Sequence, residues 1–381
     1  MVAAQKRNSL TVLTSYFNPS GYKARRENYE LFSARLKDAG VPLLTVECAF
    51  RDDEFTLPES PNTFRARTQS VLWQKERLLN LMISRLPPQV TMVAWVDCDL
   101  IWENSDWVRA AEDVLHHWPV VQLFDVVVRL PEGQLYDVGE GEHTDGFGVT
   151  FNRRPWVIND VNAGRTGRHG HTGFAWAARR EVLKHGLYDA CLSGNGDHLM
   201  AHAFVGDWES ECFRGHFESS PAFRGHFETW SRKVYELVKC RVGYVPGKVL
   251  HLWHGEHADR QYLNRGLELN AFAFDPSKDL SIDAGGCYSW NSHKPELHRW
   301  AERYFVTRRE DGGQVPFTRE ELCDRVIRAR DRACSKEHAE RLSIAIQTMQ
   351  TCDSIEGVIS IAAQALGMCE NALKVNVARY E

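Results

Sequence analysis

No stretch of this 381-residue sequence stays apolar long enough to span a bilayer, and Met1–Asn8 holds no apolar targeting core. That expects a cytoplasmic protein with no membrane partner. One-sided charge is also lacking. The net value is −5, so no global basic field advertises nucleic acid, although a local basic site stays open. The ten cysteines show no repeated CxxC spacing. This argues against a zinc ribbon or a disulfide framework and points to free thiols of a reducing compartment. A hydrophobic content of 43% and a charged content of 25% are those of an ordinary globular chain, long enough for a large core and a small second domain. Tryptophan is abundant, with twelve copies; most belong in a core, and some could line a sugar or base site.

What is present reads first as alternating strands and helices. Leu10–Tyr16 has a strand pattern and ends in the turn cluster Phe17-Asn18-Pro19-Ser20-Gly21. Residues 22–39 show helical spacing through Tyr29, Phe32 and Leu36, Gly40 stops that helix, and a second strand covers 41–49. Strand, helix, strand is the unit of a parallel sheet. A loop over 51–63, a helix over 70–84, an apolar strand over 92–102, a helix over 105–116 and a strand over 120–130 follow. Residues 131–171 are aperiodic and rich in Gly, Asp, Arg and His; a loop of that length covers a site or is disordered. His171–Ala177 is strand-like, and a helix starts at about Arg179. The segment Phe213-Arg214-Gly215-His216-Phe217-Glu218 recurs ten residues later as Phe223–Glu228; it reads as an expanded loop, too short for a repeat architecture. Residues 243–255 form a strand that ends in His251 and His254, and Thr318-Arg319-Glu320-Glu321 opens a wholly helical remainder.

Three features carry chemistry. Asp97 and Asp99 close the apolar run Met92–Val96. In a strand, residues i and i+2 point the same way, so both carboxylates would converge at its carboxyl end, where open α/β sheets bind ligands. Two hard oxygen donors there suit Mg²⁺ or Mn²⁺ holding a diphosphate. Alone, an Asp-x-Asp pair reads sooner as a strand-end turn capped by acids. Asp197 sits in the Gly-rich turn Ser193-Gly194-Asn195-Gly196 at a helix start, and the His251/His254 pair sits at a strand end.

In order and spacing these features resemble the GT-A glycosyltransferases, especially the β-1,4-galactosyltransferase type. They are also similar to a set of viral and bacterial glycosyltransferases inferred from sequence. The shared blocks are Tyr16–Pro19, Trp73–Glu76, His171–Ala177, Gly194–Asp197 and Tyr244–Gly255, within residues 9–306. The resemblance implies a Rossmann-like mixed α/β sheet flanked by helices over 1–310. It implies a nucleotide-sugar donor, a UDP-sugar first, and a metal site of Asp99 with His251 as nitrogen ligand, favouring Mn²⁺ over Mg²⁺. Asp97 joins the metal or contacts the ribose or a metal-bound water, and His254 is the second candidate nitrogen. Asp197 would be the base that takes the acceptor proton, giving inversion. Tyr16, Asn18, Arg25 and Lys75 are candidates for nucleotide and phosphate contacts; the plainer reading of Arg25 and Lys75 is a solvated helix face. Trp176 stacks on a sugar or, the favoured reading, fills the core.

The remaining residues, 318–381, read as a small all-α domain. Ile361–Tyr380 resembles a Fis-type helix-turn-helix, departing from it at Cys369 and Ala372. The resemblance implies double-stranded DNA as partner, with Asn371, Lys374, Asn376 and Arg379 as contacts; the equal alternative is a helical domain that packs against the enzyme or another subunit. A hydroxymethylated pyrimidine in DNA is then one acceptor. A glycan or a protein is another, and a non-catalytic nucleotide-sugar-binding module is the reading from a different class.

Overall fold

The computed structural model describes residues 10–155, 169–261, 265–312, 323, 326–327, 330, 336–352 and 355–366. They fall into two compact units, 1–311 and 312–381. The first is mixed α/β. Its strands are β1 (Leu10–Tyr16), β2 (Leu43–Phe50), β3 (Thr63–Thr68), β4 (Met92–Val96), β5 (Leu100–Trp102), β6 (Val120–Gln122), β7 (Val126–Arg129), β8 (Glu142–Asp145), β9 (Ala175–Arg179), β10 (Val242–Tyr244) and β11 (Lys248–His251). A seven-stranded sheet has the order β10-β6-β9-β4-β1-β2-β3; β1 to β4 pair in parallel and β9 runs antiparallel between β4 and β6. A four-stranded sheet has the order β5-β11-β7-β8.

Strand β4 shows why the large sheet forms. Met92, Ala94 and Val96 face one core with Tyr29, Phe32 and Leu36 of α1 (Lys23–Asp38). Val93 and Trp95 face the other with Leu78, Leu79 and Met82 of α2 (Lys75–Arg85). All five β4 residues are buried, the pattern of a central strand covered on both sides. The N-terminus of α1 lacks a side-chain cap of its own; the carboxylate of Asp311 accepts from the Lys23 and Ala24 amides instead, at 3.0 and 2.6 Å.

Three segments that the sequence presents as continuous strands are each broken. Residues 97–99, 123–125 and 245–247 carry the chain from the large sheet to the small one, linking β4 to β5, β6 to β7 and β10 to β11. Two of the crossings are bonded: the Gly247 amide donates to Asp125 Oδ1 at 3.0 Å, and the Val245 amide donates to the carbonyl of Gln122, the last residue of β6, at 2.8 Å. Apolar periodicity does not register such a change of sheet, because both halves of each segment are buried. Strand β3 follows the expected loop directly, over residues left unassigned from the sequence; after α3 (Trp107–Leu115), β8 and α4 (Phe147–Arg153) interrupt the aperiodic stretch 131–171, of which 156–168 lie outside the described residues.

Helix α5 (Gly196–Phe204) follows the Gly-rich turn, then α6 (Glu211–Arg214), α7 (Pro221–Val238) and, after three short helical pieces, α8 (Pro295–Thr307). The duplicated segment is no loop expansion. Phe213, Phe217, Phe223 and Phe227 are all buried, with ring centroids 5.9 Å (213–217), 5.0 Å (217–223) and 5.6 Å (217–227) apart. Each copy supplies one i,i+4 pair of phenylalanines, and the two pairs pack on each other.

In the second unit every element among the described residues is helical. Helices α9 (Lys336–Thr351) and α10 (Ile355–Leu366) bury Leu342, Ile346, Met349, Val358 and Ala362 with Cys323 and Val326. The 318–321 cap and the second helix of the Fis-type pattern, with Asn371, Lys374, Asn376 and Arg379, lie outside the described residues. Among the described residues no helix is long and apolar enough to cross a membrane.

Candidate active site

Strand β4 ends when the Asp97 amide donates to the Phe174 carbonyl at 2.8 Å, and the chain then turns into the small sheet. The turn separates the two aspartates. The extended backbone needed for a shared face stops at Val96, so the expected convergence of Asp97 and Asp99 does not occur.

Asp97 turns toward α2 and α5. Lys75 Nζ sits between Asp97 Oδ1 at 2.5 Å and Asp197 Oδ2 at 2.8 Å. Glu76 is buried beside them and accepts from the Trp73 indole at 3.2 Å. Burial pushes the Glu76 carboxyl up to about 8 and that of Asp97 up to about 6, in each case against the pull of Lys75. Burial alone would lower Lys75, but Asp197, Asp97 and Glu76 together hold it well above its ordinary range. The Gly-rich turn is shaped by the same group. Gly194 turns at φ +68° against the Trp73 ring, and a Cβ on Gly196 would come within 2.6 Å of Glu76 Oε1. Arg265 fastens the turn, donating from Nε to Asn195 Oδ1 and from its terminal nitrogen to the Gly194 carbonyl, both at 3.1 Å. Asp197 is thereby fixed in the first turn of α5 with its carboxylate side chain 15% exposed.

Asp99 turns the other way, toward the end of β11. His254 Nε2 lies 3.1 Å from Asp99 Oδ2 and 3.0 Å from His251 Nε2, and His251 Nε2 lies 3.9 Å from Asp99 Oδ1. One ligand atom from each of Asp99, His251 and His254 falls within 4.8 Å of the others. Asp99 Oδ1 is buried and makes no hydrogen bond among the described residues. Burial holds His251 well below its usual pKa; for Asp99 burial acts upward, but His254 and then His251 outweigh it and keep the carboxylate ionised. A carboxylate beside a neutral imidazole is the state that binds cations. Behind the group, His254 Nδ1 meets Arg260 at 2.7 Å and Glu310 Oε1 at 3.4 Å. Arg260 can only donate, so His254 Nδ1 accepts from it, and the ring proton of the neutral form lies on Nε2, facing Asp99; a cation bound at Nε2 would displace that proton.

The other expected residues are placed as follows. Arg25 and Lys75 are not on a solvated face: their side chains are 13% and 11% exposed. Arg25 donates to the Phe17 carbonyl at 2.8 Å and pairs with Glu310 at 3.4 Å. Both amide ends of Asn18 bond the Tyr22 backbone, and Tyr16 is buried against Tyr29. Trp176 fills the core, 2% exposed. A narrow cleft beside these groups is lined by Asn18, Tyr22, Arg25, Trp73, Arg308 and Glu310. Sequence reasoning missed Glu76, which lay inside a block already singled out, and Glu310, which stands in a charged run with no local signal.

No protein-family model matches the chain, and no curated protein matches it. Among solved structures, it is similar to a protein assigned as a nucleotide-diphospho-sugar transferase from Desulfovibrio desulfuricans G20. The identity is 11% and the TM-score 0.30, covering 64% of this chain and 82% of that one. It is also similar to the catalytic domain of Drosophila β1,4-galactosyltransferase 7, in complex with xylobiose, at 14% identity and a TM-score of 0.24, covering 50% and 59%. Likenesses of this size assign no activity to the chain.

Proposed function

We propose that the chain is a metal-dependent glycosyltransferase of GT-A type that moves a sugar from a nucleotide sugar, a UDP-sugar first, to a hydroxyl acceptor with inversion. One observation carries the reading: at the carboxyl end of β4 a buried donor set of Asp99, His251 and His254 adjoins an acidic group, Asp97–Lys75–Asp197, built on the same turn. The donors fit a divalent cation. A hard carboxylate oxygen left without a hydrogen bond, together with two imidazole nitrogens, suits Mn²⁺ with Mg²⁺ as the alternative. A cation held by Asp99, His251 and His254 would offset the charge that builds on the departing nucleoside diphosphate.

The rest falls to the protein's own groups. Asp197 accepts the proton of the acceptor hydroxyl as that oxygen attacks. Lys75 fixes the orientation of Asp197 and ties it to Asp97, so both carboxylates keep one geometry between turnovers. Asp97 lies outside the Asp99 donor set and acts on the side of Lys75. Arg25 lines the cleft where the diphosphate would enter, and Asn18 shapes its wall. The acceptor is a hydroxymethylated base in DNA, a glycan or a protein; a chain that binds the donor without turning it over is the rival class.

A screen of nucleotide sugars for Mn²⁺-dependent hydrolysis tests this without a known acceptor. Hydrolysis of at least one donor is expected, lost with the metal and lost in Asp99→Ala. Tight donor binding with no hydrolysis by any donor would leave only the binding-module reading, and metal-independent hydrolysis would refute the site.

A further inference from the structure

A second set of ligand-type side chains lies apart from Asp99, on α5 and its neighbours. His169, His198, His202 and Cys212 each offer one donor atom, and all four fall within 4.8 Å of one another. His198 Nε2 lies 3.1 Å from Cys212 Sγ, and His202 Nε2 lies 3.4 Å from it. Four ligands at about 2.0–2.3 Å from a tetrahedral zinc stand roughly 3.3–3.7 Å apart, so these spacings are close to the bound geometry.

A buried histidine cluster is more often packing than a metal site, and two observations decide against packing alone. His169 is 1% exposed, its Nδ1 faces the Gly170 carbonyl at 2.9 Å, and its Nε2 is buried with no hydrogen-bond partner among the described residues. An unmet polar atom of that kind is costly to bury unless something occupies it. His202 Nδ1 is bonded to Asp207 Oδ2 at 2.8 Å, which fixes the ring with Nε2 bare toward Cys212. A carboxylate behind the ring is the usual partner of a metal-bound histidine.

We propose that His169, His198, His202 and Cys212 bind one Zn²⁺ ion as a structural site. Three nitrogens and one sulfur favour zinc over magnesium or manganese, and four protein ligands leave no open position for chemistry. Binding releases the Cys212 thiol proton to solvent. The two positive charges are then balanced by one thiolate and the Asp207 carboxylate. The ion would join residue 169, where the chain returns from 156–168, to α5 and to α6, and it would hold α5 one residue from Asp197. This inference does not depend on the proposed transfer activity.

The test is metal analysis of the full chain grown in zinc-containing medium and passed through gel filtration. About one zinc per chain is expected in the wild type and in an Asp99→Ala, His254→Ala variant, and none in Cys212→Ala or His169→Ala. Should those last variants fail to fold, the wild-type protein still answers. Refolded with Co²⁺ it should show a thiolate-to-cobalt charge-transfer band and the strong visible bands of a tetrahedral ion, with the thiolate band gone in Cys212→Ser. A wild-type protein that retains no zinc, or a cobalt form without the thiolate band, overturns the proposal.

Discussion

Lys75→Met offers a direct test of the ionic group at the end of β4. Methionine keeps the apolar stem and removes the charge, so Asp97, Asp197 and Glu76 lose the cation that faces them. Removing one partner of a buried pair costs about 3–5 kcal/mol. The Asp97 side chain is 27% exposed, so solvent screening shifts the expectation below that range, to about 2–4 kcal/mol. At about 2 °C per kcal/mol for a unit of this size, the melting temperature should fall by roughly 4–8 °C. The sign with pH follows from the carboxyls. Asp97 titrates near 6 and Glu76 near 8 even with Lys75 in place, both raised by burial. Well below 6 the raised acids are protonated in both proteins and the missing cation matters least; as pH rises through 6 to 8 they ionise, and the wild type alone can compensate. Thermal unfolding followed by circular dichroism in chelator-containing buffer should therefore show a small difference at pH 5 and the full one at pH 8. An equal loss at both values would mean that Lys75 acts through packing alone, and no loss at pH 8 would refute the ionic reading.

Three further outcomes are expected. Asp197→Asn should keep donor binding in calorimetry while transfer falls by about 10²-fold or more, and a product of retained anomeric configuration would remove the single displacement. Glu310→Gln should weaken Mn²⁺ binding by roughly 10–100-fold, because the cations packed behind His254, Arg25 and Arg308, lose the carboxylate that balances them; unchanged affinity would separate Glu310 from the site. Removing residues 318–381 should leave donor hydrolysis intact and lower transfer to DNA carrying 5-hydroxymethylcytosine or 5-hydroxymethyluracil, read by nucleoside mass, with a salt slope of about one to three phosphates for the intact protein. No sugar on either base, with no salt-dependent binding, would leave a glycan or protein as acceptor.

Much of the first unit was legible because its signals are local. β1, α1 and β4 were readable from apolar spacing, and the start of α5 from two glycines before an acid. The breaks at 97–99, 123–125 and 245–247 were not, since the strands on both sides of each break are apolar and largely buried. The same blindness put Asp97 and Asp99 on one face. The Gly-x-Gly-Asp turn and the Trp73–Glu76 block were each visible, but only the fold shows that one exists to receive the other: Gly196 leaves the space that Glu76 fills. Glu310 and Cys212 reach their histidines across long stretches of sequence, 56 residues from His254 and 43 from His169 by chain number. No spacing rule links them.

The three crossings share one length, three residues each, and run between the same two sheets. They act like equal rungs: lengthening one would tilt the small sheet against the large one unless the others grew with it. Natural variants of this chain should therefore tolerate insertions at 51–62 or 131–141, where loops hang free of the rungs, and reject them at 97–99, 123–125 and 245–247. The distance between Asp99, carried on one rung, and His251, at the far end of the strand that follows another, is thus a dimension of the scaffold itself, fixed before any ligand arrives.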